Sequence, residues 1–451
     1  MEKLYKLFTQ HPVITTDTRD CPKGSIFFAL KGASFNGNNF AMQALEHGCS
    51  YAVIDETPAT DDPRLILVDD VLTTLQQLAR YHRRHLQTPV IGITGTNGKT
   101  TTKELVATVL GEKYNVLYTQ GNFNNHIGVP KTLLRLTPEH DLAVIEMGAN
   151  HPGEIKTLVD IVEPDCGLIT NVGRAHLGGF GSFEGVKKTK GELYDFLVAH
   201  KTHLFEDHKE NSQDNGAQQQ FPPLKVRGRE GLLSIFLDSS NPHLCEMISQ
   251  RGADALTIPY VKGSVIDCKP YLHFQWEGGE VMTHLIGDYN LINMMAAATV
   301  GRHFGVSDEQ INHALSNYIP SNNRSQLTVT AHNRLVVDAY NANPTSMAAA
   351  LNNFKAMDVP GKMVILGSMG ELGDVSQEEH KKIVGMLEEY GRGEWEVWLV
   401  GEEFAKTGHP FRQFTDVEAV KAAIEAEQPS GHYILIKGSN AQKLFLLPEL
   451  L

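Results

Sequence analysis

Nowhere in its 451 residues does the chain carry about 18 consecutive apolar side chains, the length a membrane-crossing helix needs. Its opening segment, MEKLYKLFTQHPVITTDTRD, lacks the apolar run of a signal peptide. Cysteine is scarce, with five residues at 21, 49, 166, 245 and 268 that show neither C-x-x-C spacing nor an even framework. That excludes a zinc ribbon and a disulfide scaffold, and the five read as mostly buried thiols. Positive charge is in deficit as well: 40 Lys and Arg against 53 Asp and Glu leave a net charge of -13. Proteins that hold polyanions by bulk charge carry a basic stripe, so any phosphate bound here must be met by local structure. No tandem repeat occurs at solenoid periods. These absences predict a soluble, cytoplasmic protein with no nucleic-acid partner and no membrane insertion; a monomer is the expected state, though no sequence feature fixes it.

What is present is a chain that is 41% hydrophobic and 21% charged, enough for about two to four domains. Residues 25–30 (SIFFAL) and 51–55 (YAVID) read as short strands around a helix-like stretch at 40–47, a small α/β domain over 1–85. The polar, basic run YHRRH at 81–85 follows it. Strands at 90–93, 142–146 and 167–170, alternating with helical stretches, have the βαβ rhythm of a parallel sheet and place a central domain over 86–316. Near Pro320 the pattern restarts, with strands at 335–338, 363–366, 396–400 and 433–436, a Rossmann-like third domain over 317–451. The fold class is therefore α/β in three domains. An insertion at about 200–240 includes EDHKENSQDNGAQQQFPP, too polar to fold alone, and reads as a surface loop.

The run IGITGTNGKTTTK at 91–103 puts Gly95, Gly98 and a Lys99-Thr100 pair at a strand-to-helix turn. Backbone N–H groups at a helix N-terminus make an anion cradle, which Lys99 and the Thr100 hydroxyl would complete toward phosphate and Mg²⁺. Ile93 stands where the full phosphate-loop pattern has its first glycine. The plainer alternative is a glycine turn entering a helix.

The segment TGTNGKT at 94–100 resembles the ATP loop of the Mur ligase family, which also includes folylpolyglutamate synthetase. Further segments similar to that family follow in order: NNHIGVP at 124–130, EMG at 146–148, NVGRAHLGGFGS at 171–182, KKTKGELY at 187–194 and GDYNLINMMAA at 287–297. The resemblance implies that Thr94, Gly95, Thr96, Asn97, Gly98, Lys99, Thr100, Thr101, Asn293, Arg324 and Asp338 bind ATP. It implies a Mg²⁺ site on Thr100, Glu146, His176 and Lys190, the last as a carbamate, and a catalytic set of Lys99, Glu146, His176, Lys190 and Arg324. Each has a blander alternative: a hydrogen-bonded structural histidine, a solvated lysine in a basic run, an Ala-rich core helix around Asn293, or a surface role for Arg324 and Asp338.

The segment DAYNANPTSM at 338–347 is similar to the branch of the family that extends a muramoyl tripeptide. Its Asn343 and Pro344 also suit a helix start. The resemblance thus implies UDP-MurNAc-tripeptide and D-alanyl-D-alanine as substrates, with ATP activating the tripeptide carboxylate as an acyl phosphate. Candidate substrate-binding residues are Thr18, Arg19, Lys31, Asn125, Tyr340, Asn341 and Asn343. Tyr289, Ser368 and Asn440 depart from the family pattern, where His, Asp and Arg are usual. A sister Mur ligase, folylpolyglutamate synthetase and a catalytically silent nucleotide-binding regulator are the rival readings.

Overall fold

The structure, a computed structural model, describes residues 1–58, 60–210, 233–320, 324, 326–391 and 393–451, the side chains of 201–210 excepted. Four sheets organise them. The first is parallel, in the order β1 (Ile14–Thr15), β2 (Ile26–Phe28), β3 (Tyr51–Ile54), β4 (Leu65–Leu67). The central sheet contains β5 (Val90–Thr94), β6 (Val116–Tyr118), β7 (Leu142–Glu146), β8 (Cys166–Ile169), β9 (Ser234–Leu237) and β10 (Thr257–Pro259). Its order is β10-β9-β8-β5-β7-β6, parallel throughout. An antiparallel meander follows, β11 (Gly263–Cys268), β12 (Tyr271–Trp276) and β13 (Gly279–Ile286). The last sheet contains β14 (Gln326–Val329), β15 (Arg334–Asp338), β16 (Lys362–Gly367), β17 (Glu396–Val400), β18 (Arg412–Phe414) and β19 (Tyr433–Lys437). It runs β14-β15-β19-β16-β17-β18, parallel except at β14. The α/β class in three domains is borne out, and the meander is an addition, with burial that alternates at period 2 in β12 and β13.

Strands buried on both faces explain the apolar runs that marked them. In β7, Ala143 and Ile145 enter one core while Leu142 and Val144 enter the core on the opposite face. In β5, Val90 goes to the first and Ile91 and Ile93 to the second. β5 sits between β8 and β7, so the chain leaves it for neighbours on either side. The C-terminal end of such a strand is the crevice where open α/β sheets bind ligands.

The basic run at 81–85 is the last turn of the helix Val71–Leu86, started by Asp70 accepting from the Thr73 N–H and stopped at Gln87 in a left-handed conformation. His82 and Arg83 are buried in it, contrary to the polar reading. Arg83 ion-pairs with Asp165 at 2.6 Å and donates to the Val162 carbonyl. Truncating one partner of such a buried pair typically costs about 3–5 kcal/mol, and this one ties the helix to the central domain.

Two other expectations change. The helix Phe183–Glu210 runs into the insertion, so residues 206–210 of its polar run are helical and not a loop, and the far end of the insertion holds β9; 211–232 lie outside the described residues. All five cysteines are free, but only Cys49 and Cys166 are buried. Cys21, Cys245 and Cys268 are half-buried, because they lie in loops, at strand ends or at the edge of an amphipathic helix. Among the described residues no helix is long and apolar enough to cross a membrane.

Candidate functional site

Local backbone chemistry shapes the phosphate loop. Thr94 ends β5 fully buried, with its hydroxyl donating to the Met147 carbonyl at 2.7 Å. Its side chain therefore acts as a strut between strands and does not line the cavity. Gly95 then turns at φ 143° and Gly98 at φ 79°, and the helix Lys99–Gly111 begins. A Cβ on Gly95 would fall 2.0 Å from Thr170 Oγ1, and one on Gly98 2.8 Å from Asn293 Oδ1. The loop after β8 clamps the turn: Thr96 N–H donates to the Asn171 carbonyl at 2.9 Å, Gly173 N–H to Thr96 Oγ1 at 3.0 Å, and Asn97 N–H to Asn171 Oδ1 at 3.0 Å. Thr170 and Asn171, absent from the sequence-based set, thus hold the cradle open. Gly95→Ala is expected to lower the thermal midpoint and to cut ATP-dependent turnover at least tenfold, since strain and overlap here cost about 2 kcal/mol or more. A thermal scan beside a phosphate-release assay reads both.

Lys99 and Thr100 open into a cavity of about 1490 Å³ that Thr96, Asn97, Gly98 and Thr101 also line. Lys99 Nζ donates to the Gly95 and Thr96 carbonyls at 2.8 and 2.9 Å. Burial, reinforced by Arg324, pulls its pKa down to about 8 against the opposing pull of Glu146. Glu146, at the end of β7, is buried; its Oε1 accepts from Thr100 Oγ1 at 3.2 Å and Asn124 Nδ2 at 2.7 Å. Its Oε2 is buried with no hydrogen-bond partner among the described residues.

His176 lines the same cavity, and its Nδ1 is hydrogen-bonded to Glu371 from the third domain. Burial lowers its pKa, with Lys99 and Lys190 adding to the effect and Glu371 opposing it. Lys190 is almost fully buried behind the cavity wall, donating to the Ala149 carbonyl at 3.2 Å. Burial, and then Lys99, hold its amine well below the ordinary lysine pKa.

The opposite wall belongs to the third domain. Arg324 stacks its guanidinium 4.0 Å from the Tyr340 ring centroid, and its Nε is buried without a hydrogen-bond partner. Asp338 ends β15 and pairs with Lys437 at 2.5 Å, and both line the cavity with Tyr340 and Asn341. Lys437 is absent from the sequence-based set.

Not every candidate converges here. Asn343 is buried as the N-cap of the helix Pro344–Ala356 and donates to Asn97 Oδ1 at 2.7 Å, so it braces the phosphate loop from the third domain. Asn125 lines the cavity, yet its Oδ1 closes the turn that leads into the helix Gly128–Leu133, accepting from the Ile127 and Gly128 N–H groups at 3.1 and 2.8 Å; the neighbouring Asn124 is the one that reaches Glu146. Asn293 lines the cavity while accepting from Thr102 Oγ1 at 3.0 Å and donating to Asn290. Thr18, Arg19 and Lys31 lie on the first domain, away from the lining: Arg19 pairs with Asp17 at 2.6 Å and Lys31 with Asp55 at 3.0 Å.

Comparison with known proteins agrees with this geometry. The family described as Mur ligase middle domain matches residues 93–301, and that described as Mur ligase, glutamate ligase domain matches 323–440. The UDP-N-acetylmuramoyl-tripeptide--D-alanyl-D-alanine ligase of Bacillus subtilis (strain 168) is 33% identical over 96% of this chain and 91% of its own length. The protein of that name from Escherichia coli (strain K12) is 36% identical over 82% of this chain and 77% of its own. A solved structure of MurF from Acinetobacter baumannii superposes with a TM-score of 0.78 at 29% identity, covering 97% of this chain and 92% of that one. A phosphate loop at the switch point of a parallel sheet, faced by a third domain across one cavity, and full-length similarity to these enzymes together place the chain in the Mur ligase family.

Proposed function

We propose that the chain is the ATP-dependent, ADP-forming ligase that joins D-alanyl-D-alanine to UDP-MurNAc-tripeptide, giving the pentapeptide precursor of peptidoglycan in the cytoplasm. One observation carries the choice of branch: Tyr340 and Asn341, from the segment similar to the tripeptide-extending ligases, line the same cavity as Lys99 and Thr100. Near-full-length similarity to the B. subtilis ligase supports it. In this reading residues 1–85 bind the UDP-muramoyl part through Thr18, Arg19 and Lys31, 86–316 bind ATP, 317–451 close over both, and the protein works as a monomer.

The donor set suits Mg²⁺. Among the described residues no three His, Cys, Asp or Glu side chains form a metal cage. A hard cation that keeps waters and phosphate oxygens needs only one or two protein carboxylates, and the unpartnered Glu146 Oε2 beside the Thr100 hydroxyl meets that need. His176 and a Lys190 carbamate would extend the set; carbamylation requires a neutral amine, which the depressed pKa of Lys190 favours. When bound, the ion supplies neutralisation of charge on the phosphate oxygens.

The chain's own groups do the positioning. Helix N–H groups and Lys99 orient the terminal phosphates, and the Arg324 guanidinium, stacked on Tyr340, faces the charge that develops during transfer. The tripeptide carboxylate takes the γ-phosphoryl group, ADP is released, the dipeptide amine attacks the acyl phosphate, and phosphate leaves as the amide forms. The paired Asn343 and Asn97 hold the two domains together around this step and help to exclude the water that would hydrolyse the acyl phosphate. Phosphate release with Mg-ATP is expected to require both D-alanyl-D-alanine and a UDP-MurNAc-tripeptide carrying diaminopimelate or lysine. Release restored instead by a single amino acid, or by glutamate with folate, would identify a sister ligase; silence with all of them would leave a nucleotide-binding regulator.

A further inference from the structure

Two residues other than glycine meet across the seam between the central and third domains with left-handed backbones, His176 at φ 51° and Glu371 at φ 60°. Side chains with a Cβ avoid this region, and such conformations persist only where surrounding contacts over-determine them, which is often at functional sites. The contacts are visible on both sides. Gly178 N–H donates to the Glu371 carbonyl at 3.4 Å, and the backbones of Gly178 and Gly373 lie against each other. At the centre of the seam His176 Nδ1 is bonded to the Glu371 carboxylate. An ionised carboxylate can only accept, so the Nδ1 proton is fixed there and the Nε2 lone pair is left available to a ligand.

We propose that Glu371 is a positioning residue for His176: it selects the tautomer and ring orientation in which Nε2 can hold the divalent cation, and thereby links cation affinity to docking of the third domain. The inference rests on the reading of His176 as a cation ligand. Metal-ligating histidines commonly donate their other ring N–H to a carboxylate, which fixes the tautomer and the ring orientation. Here the carboxylate arrives from another domain, so undocking would remove the orienting partner while leaving Glu146 and Thr100 in place. A plain surface ion pair accounts less well for the geometry. The Glu371 side chain is 57% exposed, and an exposed pair contributes too little to explain two strained backbones.

The test uses full-length protein with Mn²⁺ and a non-hydrolysable ATP analogue, free Mn²⁺ being counted by electron paramagnetic resonance. Glu371→Ala is expected to weaken Mn²⁺ binding about 10- to 100-fold. Glu371→Gln, whose amide oxygen still accepts from Nδ1, is expected to recover most of that loss. If His176→Ala weakens Mn²⁺ binding but Glu371→Ala matches wild type, or binds Mn²⁺ more tightly, the coupling is overturned while the cation site stands. If His176→Ala leaves Mn²⁺ binding unchanged, the cation role of His176 fails and this inference fails with it. A Glu371→Ala protein with a lower thermal midpoint but unaltered Mn²⁺ affinity would show a structural contact only, and would also overturn it.

Discussion

Lys99→Met is expected to abolish ligation, with turnover falling at least about 10²- to 10³-fold, while the folded protein is at least as stable at pH 7 as the parent. The two halves of that expectation have one cause. The ammonium sits at the mouth of the helix Lys99–Gly111 with backbone carbonyls of Gly95 and Thr96 as its hydrogen-bond partners, and burial holds its pKa at about 8. A lysine with a folded-state pKa below its ordinary value of about 10.4 binds fewer protons folded than unfolded between those two values. Stability therefore rises with pH from about 8 to 10.4, and below pH 8 the cost of the buried charge is fully present. Methionine removes that cost together with the phosphate contact. Chemical denaturation at pH 7 and pH 9.5 should show the parent gaining stability across the interval and Lys99→Met gaining less. Activity within tenfold of the parent would sink the assignment of Lys99 to the phosphates.

Glu146→Gln separates a cation site from a structural carboxylate. The amide oxygen can still accept from Thr100 Oγ1 and Asn124 Nδ2, so the network around Oε1 survives the substitution. What is lost is the charge and the acceptor at Oε2, the one buried oxygen of this side chain that has no hydrogen-bond partner among the described residues. If Glu146 served packing alone, the variant would keep nearly full activity. The expected result is a drop in turnover of at least about 100-fold, of the order seen when one charge-stabilising group is removed from an active site. The Mg²⁺ concentration giving half-maximal rate should rise at least about tenfold, in line with weakened metal ligation. A titration of initial rate against Mg²⁺ at saturating ATP reads both numbers. Turnover within tenfold of the parent, at an unchanged Mg²⁺ requirement, would remove Glu146 from the site.

Some parts of this machine are local, and these could be read in advance. The phosphate loop needs two glycines, a lysine and a threonine within six residues, because its anion cradle is made by one turn of backbone. The apolar runs of β5, β7, β8, β15, β16, β17 and β19 announce strands covered on both faces. Asn343 and Pro344 mark a helix start, and the structure has a helix beginning at Pro344. Other parts depend on segments far apart in the chain. Asn124 and Asn125 are adjacent and chemically identical, yet one reaches Glu146 and the other closes its own turn, and only the fold of that turn separates them. Thr94 looks like a loop residue by motif, but the strand end on which it stands is fully buried. His82 and Arg83 look like a solvated basic run until two helices enclose them.

The sequence by itself therefore determined the α/β class, the order of three domains, the phosphate loop and its likeness to a ligase family, because each is written in side-chain period or in backbone needs within a few residues. Only the tertiary structure decided which candidates meet in one cavity, that Lys99 and Lys190 have depressed pKa values, that Glu146 has an unsatisfied oxygen, and that Glu371 reaches His176 across 195 residues of chain. Burial, field and contact are sums over neighbours brought together by folding, and a linear sequence does not carry those sums.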